Sequence, residues 1–251
     1  ILPENERMRI QMAEKKLLYK RILLKISGEA LKGNQEHGYN AEAVASIVAR
    51  IREAMELGVE IALVVGAGNI WRGLAGAKGG MDRVTADHMG MLATVMNALC
   101  LKDAFTAAGV PCAVHCAVDM QPFARKFDRD QALTELSEGK LIIFAGGTGS
   151  PYFTTDTTAA LRALEIKADA VVKATKVNGI YTADPVKDPS ARKFDTLTFQ
   201  EAIAGHYGVM DAAAFALCSD NGLHIIVCNF SEQGALGKVL TGDYSVGTIV
   251  H

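Results

Sequence analysis

Lys25 stands where an apolar strand would ordinarily carry another aliphatic side chain. It lies in the run Arg21-Ile22-Leu23-Leu24-Lys25-Ile26, and the small Ser27 and Gly28 that follow let a ligand approach the backbone. Two further glycine-rich stretches close apolar runs in the same way, Gly66-Ala67-Gly68-Asn69 and Gly146-Gly147-Thr148-Gly149. Loops of this kind present rows of backbone N–H groups to an anion, and phosphates are commonly held so. A strand-end lysine reaching to water over its apolar stem is the plain alternative for Lys25. Two more such loops in the chain weigh against it.

Other side chains could join that chemistry. Arg72 offers a planar fork suited to phosphate, although a loop arginine is more often a surface charge. Asp87 precedes a long methionine-rich helical stretch, where it could cap the helix or accept hydrogen bonds from sugar hydroxyls. Thr148-Gly149-Ser150-Pro151-Tyr152-Phe153-Thr154-Thr155-Asp156 is denser in hydroxyls than a turn requires and runs straight into a helix. Its amides, hydroxyls and helix dipole could all face one anion, with Asp156 fixing a nearby lysine. Capping by Thr155 or Asp156 is the bland account, and the two are compatible.

Two familiar phosphate signatures fail. Gly66-Ala67-Gly68 lacks its third glycine, because Trp71 stands there, and no Gly-Lys pair has a glycine five residues before it. In Cys112-Ala-Val-His115-Cys116, strand alternation sends the cysteines to one face and the histidine to the other, which disfavours a metal site. The Met89, Met91 and Met96 stripe reads as core or subunit interface.

The elements that must position these residues alternate. Strand-like runs fall at 21–26, 61–65, 112–116, 141–145, 170–172 and 225–227. Helical periodicity falls at 40–57, 87–108, 130–138, 156–166 and 210–221, most of these ending at a glycine. Short apolar runs alternating with helices predict an α/β fold with a mostly parallel sheet, whose ligands collect at the carboxyl edge of the strands. No repeat or low-complexity tract interrupts the pattern. Residues 1–18 read as a solvated leader and 19–251 as one domain. The best division into lobes lies near 166–169, and no linker separates the halves.

With 26 Lys and Arg against 28 Asp and Glu among 251 residues, the chain has no broad basic field to hold nucleic acid or an anionic membrane. Five cysteines without paired spacing fit neither a disulfide framework nor a zinc ribbon and suit a reducing cytoplasm. No stretch reaches the ~20 apolar residues of a bilayer span, and the N-terminal segment lacks a signal-peptide core.

Taken together, five motifs resemble those of the bacterial uridylate (UMP) kinases of the amino acid kinase superfamily. They are Lys25-Ile-Ser-Gly-Glu-Ala-Leu, Gly66-Ala-Gly-Asn-Ile-Trp-Arg-Gly, Asp87-His-Met-Gly-Met-Leu-Ala-Thr-Val-Met-Asn, Gly147-Thr-Gly-Ser-Pro-Tyr-Phe-Thr-Thr-Asp and Lys173-Ala-Thr-Lys-Val-Asn-Gly-Ile-Tyr-Thr-Ala-Asp-Pro. The resemblance runs from about Tyr19 to Ile249. It implies a three-layer αβα sandwich, a homohexamer, and transfer of the γ-phosphoryl group of ATP to UMP with Mg2+ in pyrimidine nucleotide synthesis. GTP activation and UTP inhibition are implied as well.

Carried over by position, the resemblance gives Lys25, Asp156 and Arg72 catalytic roles, with Asp156 orienting the lysine. Lys25, Ile26, Ser27, Gly28, Gly68 and Arg72 would meet the ATP phosphates, and Thr175, Tyr181 and Asp184 the adenosine. Ala67, Asp87 and residues Thr148, Gly149, Ser150, Pro151, Tyr152, Phe153, Thr154 and Thr155 would line the UMP site. Residues 19–168 would form the UMP lobe and 169–251 the ATP lobe. The chain departs from the pattern at Ala67, where the family usually has glycine, and at Asn178, where aspartate is frequent. It is also unusual at His37-Gly38-Tyr39-Asn40, in a segment often associated with effector response. Two rival readings remain. One is a superfamily kinase acting on a carboxylate or carbamate, which the Asp87 and Thr148–Asp156 motifs disfavour. The other is a uridine nucleotide sensor without catalysis, for which Lys25 and Asp156 would have no use.

Overall fold

The strands of this chain form because their apolar runs bury both faces at once, as parallel strands covered by helices on either side must. The computed structural model describes residues 16–72 and 79–251. A nine-stranded sheet contains β1 (Arg21–Ile26), β2 (Glu60–Val65), β3 (Cys112–Cys116), β4 (Arg125–Lys126), β5 (Leu141–Ala145), β6 (Ala170–Thr175), β9 (Thr196–Leu197), β10 (His224–Asn229) and β11 (Gly247–Val250), in the order β4-β3-β5-β2-β1-β6-β10-β11-β9. Every neighbouring pair is parallel except β10 with β11. A separate antiparallel ribbon pairs β7 (Ile180–Tyr181) with β8 (Lys193–Phe194).

Alternation along β1 sorts the two outer layers. Ile22, Leu24 and Ile26 pack with the helices α2 (Ala41–Met55), α3 (Arg83–Ala107) and α8 (Ala235–Leu240), through Val44, Ile47, Ile51, Leu101, Phe105 and Val239. Leu23 faces the opposite layer of α4 (Arg129–Ser137), α5 (Thr155–Glu165), α6 (Phe199–Ala204) and α7 (Ala212–Asp220), through Leu136, Ala159, Ala160, Ala163 and Ala214. A short α1 (Glu29–Lys32) follows β1. The three-layer α/β architecture expected from the sequence is therefore present.

Several boundaries differ from expectation, each for a local reason. α3 starts four residues early, because Asp82 rather than Asp87 accepts the Thr85 amide as its cap. α5 is capped by Thr154, which accepts from the amides of Asp156 and Thr157, rather than by Thr155 or Asp156. β6 and β10 run through Lys173, Thr175 and Asn229, polar residues that end an apolar run in sequence but not a ladder of backbone hydrogen bonds. Most of the expected leader lies outside the described residues, but Leu17 packs on the core and the Leu18 amide donates to Leu240 O at 3.0 Å, so the folded chain begins earlier than residue 19. The suggested division at 166–169 joins α5 to β6, and β1 pairs with β2 on one side and β6 on the other, so one sheet spans both segments. Among the described residues no helix is long and apolar enough to cross a membrane.

Candidate active site

Parallel strands point their carboxyl ends to one edge, and β1, β2, β5, β6 and β10 deliver their loops there. The residue types at that edge depart from the apolar rule on one face. Lys25 shares the face of Leu23, turned toward α5, and in the β1–β6 register it lies opposite Lys173. Asp156, in the first turn of α5, fits between the two ammonium groups. Its Oδ1 lies 2.7 Å from Lys25 Nζ, and its Oδ2 accepts from Lys173 Nζ at 2.9 Å. Lys173 also donates to Val209 O at 2.6 Å. The Lys25 side chain is 14% exposed and its partner Asp156 12%, so Lys25 does not reach out to water. The apolar run ends at Val172 whereas β6 continues to Thr175, so the sequence alone leaves Lys173 out of the site. Continuing the alternation two residues would have placed it beside Lys25.

Burial by itself would raise the Asp156 carboxyl, but the charges of Lys25 and Lys173 and the hydrogen bonds from both outweigh it, and the group is held below the ordinary carboxylate range. A depressed folded-state value stabilises the fold above the unfolded value of about 3.9 and loses that contribution as pH falls through the folded value. Asp156→Asn should therefore lower the melting temperature at pH 7, with the gap to wild type closing below about pH 4. Thermal melts from pH 8 to pH 3 read this directly, and a constant gap throughout would remove the assignment.

Glycine at position 28 is required by a close approach. A Cβ built there would lie 2.2 Å from Gly66 O and 2.6 Å from Asn69 Oδ1, so the turn after β1 rests directly on the loop after β2. That loop is anchored by the buried side chains of Asn69 and Asn97. The loop after β5 is anchored by Thr94, whose hydroxyl accepts from the Gly146 amide at 2.9 Å. Gly146, Gly147 and Gly149 all take positive φ, at 75°, 61° and 84°, which explains the glycine density of this turn. Thr154 and Thr157 hydroxyls both donate to Asp211, which in turn caps α7, so the start of α5 is clamped to the segment ahead of α7.

Beside the Lys25 cluster opens a cleft of about 490 Å³. Of the residues expected at UMP, Ala67, Asp87, Thr148, Ser150, Phe153, Thr154 and Thr155 line it, together with Arg72. Gly149, Pro151 and Tyr152 belong to the same loop, and Tyr152 donates its amide to Asp87 Oδ2 at 2.8 Å. Asp87 also accepts from Arg83 Nε at 2.8 Å, so its carboxylate is oriented and it is not a cap. Arg83, Trp71, Met91, Thr94 and Thr158 also line the cleft, and sequence reasoning assigned them nothing there. Met91 thus separates from Met89 and Met96, which are exposed on the outer side of α3.

The residues expected at ATP divide. Ile26, Ser27 and Thr175 line one depression of about 340 Å³ at the ends of β1 and β6. Gly68 packs on Glu29, and the Arg72 guanidinium is ion-paired with Glu29. Tyr181 and Asp184 line neither cavity: Tyr181 donates to Asn178 Oδ1, and Asp184 accepts from the Val186 amide of its own turn. Ala67 and Asn178 both keep φ outside the positive region, so neither departure strains the backbone, and the left-handed residue of that second turn is Gly179. His115 is buried against Glu135 Oε2 at 2.8 Å, away from the packing of Cys112 and Cys116. Among the described residues no group of three or more His, Cys, Asp or Glu side chains could hold a metal ion.

The whole arrangement has close counterparts. The crystal structure of UMP kinase from Bacillus anthracis superposes with a TM-score of 0.89 at 34% identity, covering 93% of this chain and 96% of that one. UMP kinase from Ureaplasma parvum gives 0.86 at 34% identity, over 92% and 98%. Uridylate kinase from Archaeoglobus fulgidus gives 0.68 at 27%, over 92% and 99%. The amino acid kinase family model matches residues 20–229, which takes in β1 through β10 and the loops after β1, β2, β5 and β6. The chain belongs to the amino acid kinase family.

Proposed function

We propose that the protein is a UMP kinase, moving the γ-phosphoryl group of ATP onto a phosphate oxygen of UMP to give UDP and ADP. The observation that carries this reading is the Lys25–Asp156–Lys173 cluster next to Thr155, which lines the same cleft as Asp87. The likeness to UMP kinases supports the choice of acceptor.

Phosphoryl transfer needs in-line alignment and compensation of charge on the moving oxygens more than it needs a base. A phosphate oxygen of UMP is already a nucleophile. Two cations share one carboxylate in the cluster, which leaves positive charge for the phosphoryl oxygens, and Asp156 holds both ammonium groups in place beforehand. The amides of the turns after β1 and β2 take the ATP phosphates, and Arg72 exchanges Glu29 for phosphate. A Mg2+ ion carried in on ATP would neutralise phosphate charge, held by the phosphates and water with no protein ligand assigned to it.

Asp87 belongs to the acceptor alone. Asp87→Ala should raise KM for UMP on the order of tenfold, the loss of one charge-assisted hydrogen bond, with KM for ATP little changed. Steady-state kinetics varying each substrate in turn decide it, and equal effects on both would assign Asp87 to the architecture of α3.

Homohexamer formation belongs to the same proposal. Met89, Leu92 and Met96 stand exposed at i, i+3 and i+7 on α3, a row suited to burial between copies. Activation by GTP, inhibition by UTP, a place in pyrimidine nucleotide synthesis and a cytoplasmic location complete the reading, the last in keeping with five free cysteines. A coupled assay of ADP release tests the core of it, comparing UMP with CMP, dUMP, aspartate, glutamate and carbamate, with and without GTP. Turnover preferring UMP is expected. Turnover only with a carboxylate or carbamate would transfer the chain to another branch of the family, and UMP binding without turnover would make it a sensor.

A further inference from the structure

Two buried amides do something that neither packing nor the phosphate loops require of them. Asn69 and Asn97 are both 0% exposed and pair reciprocally. Asn97 Nδ2 donates to Asn69 Oδ1 at 2.8 Å, and Asn69 Nδ2 donates to Asn97 Oδ1 at 3.0 Å. The second N–H of each amide goes to a backbone carbonyl, from Asn97 to Gly66 O at 2.7 Å and from Asn69 to Gly38 O at 3.1 Å. The Gly38 amide returns a bond to Asn69 O at 2.9 Å. Every side-chain donor is used, so turning either amide by half a rotation would set oxygen against oxygen and nitrogen against nitrogen. A satisfied network of this kind selects one arrangement where an apolar pair would only fill space.

What it selects is the position of the loop after β2. Gly66 and Asn69 bracket Ala67 and Gly68, and Arg72 follows. Gly28 lies against Gly66 O and Asn69 Oδ1, so the turn that carries Ser27 is seated on the same pair. We propose that Asn69 and Asn97 are positioning residues for phosphoryl transfer, fixing the loop after β2 against the turn after β1 and tying both to α3 and to Gly38. The proposal rests on the UMP kinase reading.

Asn97→Asp tests it, because the shape is kept while both donors are lost. Per folded molecule at pH 8, kcat should fall on the order of tenfold to a hundredfold, the scale of a displacement near 1 Å, with KM for UMP changed by less than about threefold. A buried carboxyl titrates high, and once protonated it regains an O–H donor. The ratio of variant to wild-type kcat should therefore climb as pH falls from about 8 to about 6. Unchanged kcat per folded molecule at every pH would assign the pair to packing. Asn69→Ser is the milder companion, since it leaves Asn97 donating to Gly66, and wild-type kcat in it overturns the proposal equally. Failure of both variants to fold, read by circular dichroism, makes the pair purely structural and overturns it too. Wild-type protein is assayed first. No turnover of UMP there sinks the kinase reading and this inference with it, whereas active wild type with unaffected variants sinks the inference alone.

Discussion

Lys25→Ala should lower kcat by roughly 10²- to 10³-fold, the loss that follows removal of one preorganised group facing developing charge. The fold should survive. Removing one member of a buried pair ordinarily strands its partner at a cost of several kcal/mol. Here Lys173 stays 2.9 Å from Asp156 Oδ2, so the carboxylate keeps a counter-charge. Single-turnover kinetics beside a thermal melt separate the two effects. Near-normal kcat would show that Lys173 suffices and that Lys25 has no part in transfer. A collapsed melting temperature would mean instead that the lysine holds α5 onto β1.

The second large effect is expected from a single methyl group. Gly28 has φ −55° and ψ −28°, a conformation open to alanine, so Gly28→Ala tests contact rather than backbone freedom. Its Cβ would lie 2.2 Å from Gly66 O and 2.8 Å from Gly66 C, and neither atom can rotate away as a side chain would. The loops after β1 and β2 must part by about 1 Å to reach ordinary contact, a displacement that can cost on the order of 10²-fold in kcat. Overpacking should cost about 1–3 kcal/mol in stability. Denaturant unfolding and the ADP-release assay measure both. Wild-type kcat at wild-type stability would mean that the two turns are not held together as described.

The sequence made the scaffold legible where one side of a rule dominates. β1, β3 and β5 match the bounds of their runs because strands covered on both faces are largely apolar from end to end. It hid what polar residues do inside such strands. Lys173 ends an apolar run yet continues β6, and only the β1–β6 register sets it opposite Lys25, with Asp156 of α5 between the two ammonium groups. Asn97 interrupts an apolar helix stretch and reads as a blemish there, because its partner Asn69 lies on another element. Two-residue strands such as β4 and β9 are shorter than any periodicity can register. Tyr181 and Asp184, named from motif alone, fall outside both cavities at the edge.

The sheet also constrains how the chain can be made. β9, at residues 196–197, meets the sheet through β11, and β11 alone separates it from β10. During synthesis β9 leaves the ribosome well before the strand that seats it. Until residues 247–250 emerge, β10 shows a row of unpaired amides and carbonyls next to the catalytic edge, the kind of template on which nascent chains join one another. A chain stopped short of Gly247 would hold Lys25, Asp156 and Lys173 and still end as an aggregate or as prey for a protease.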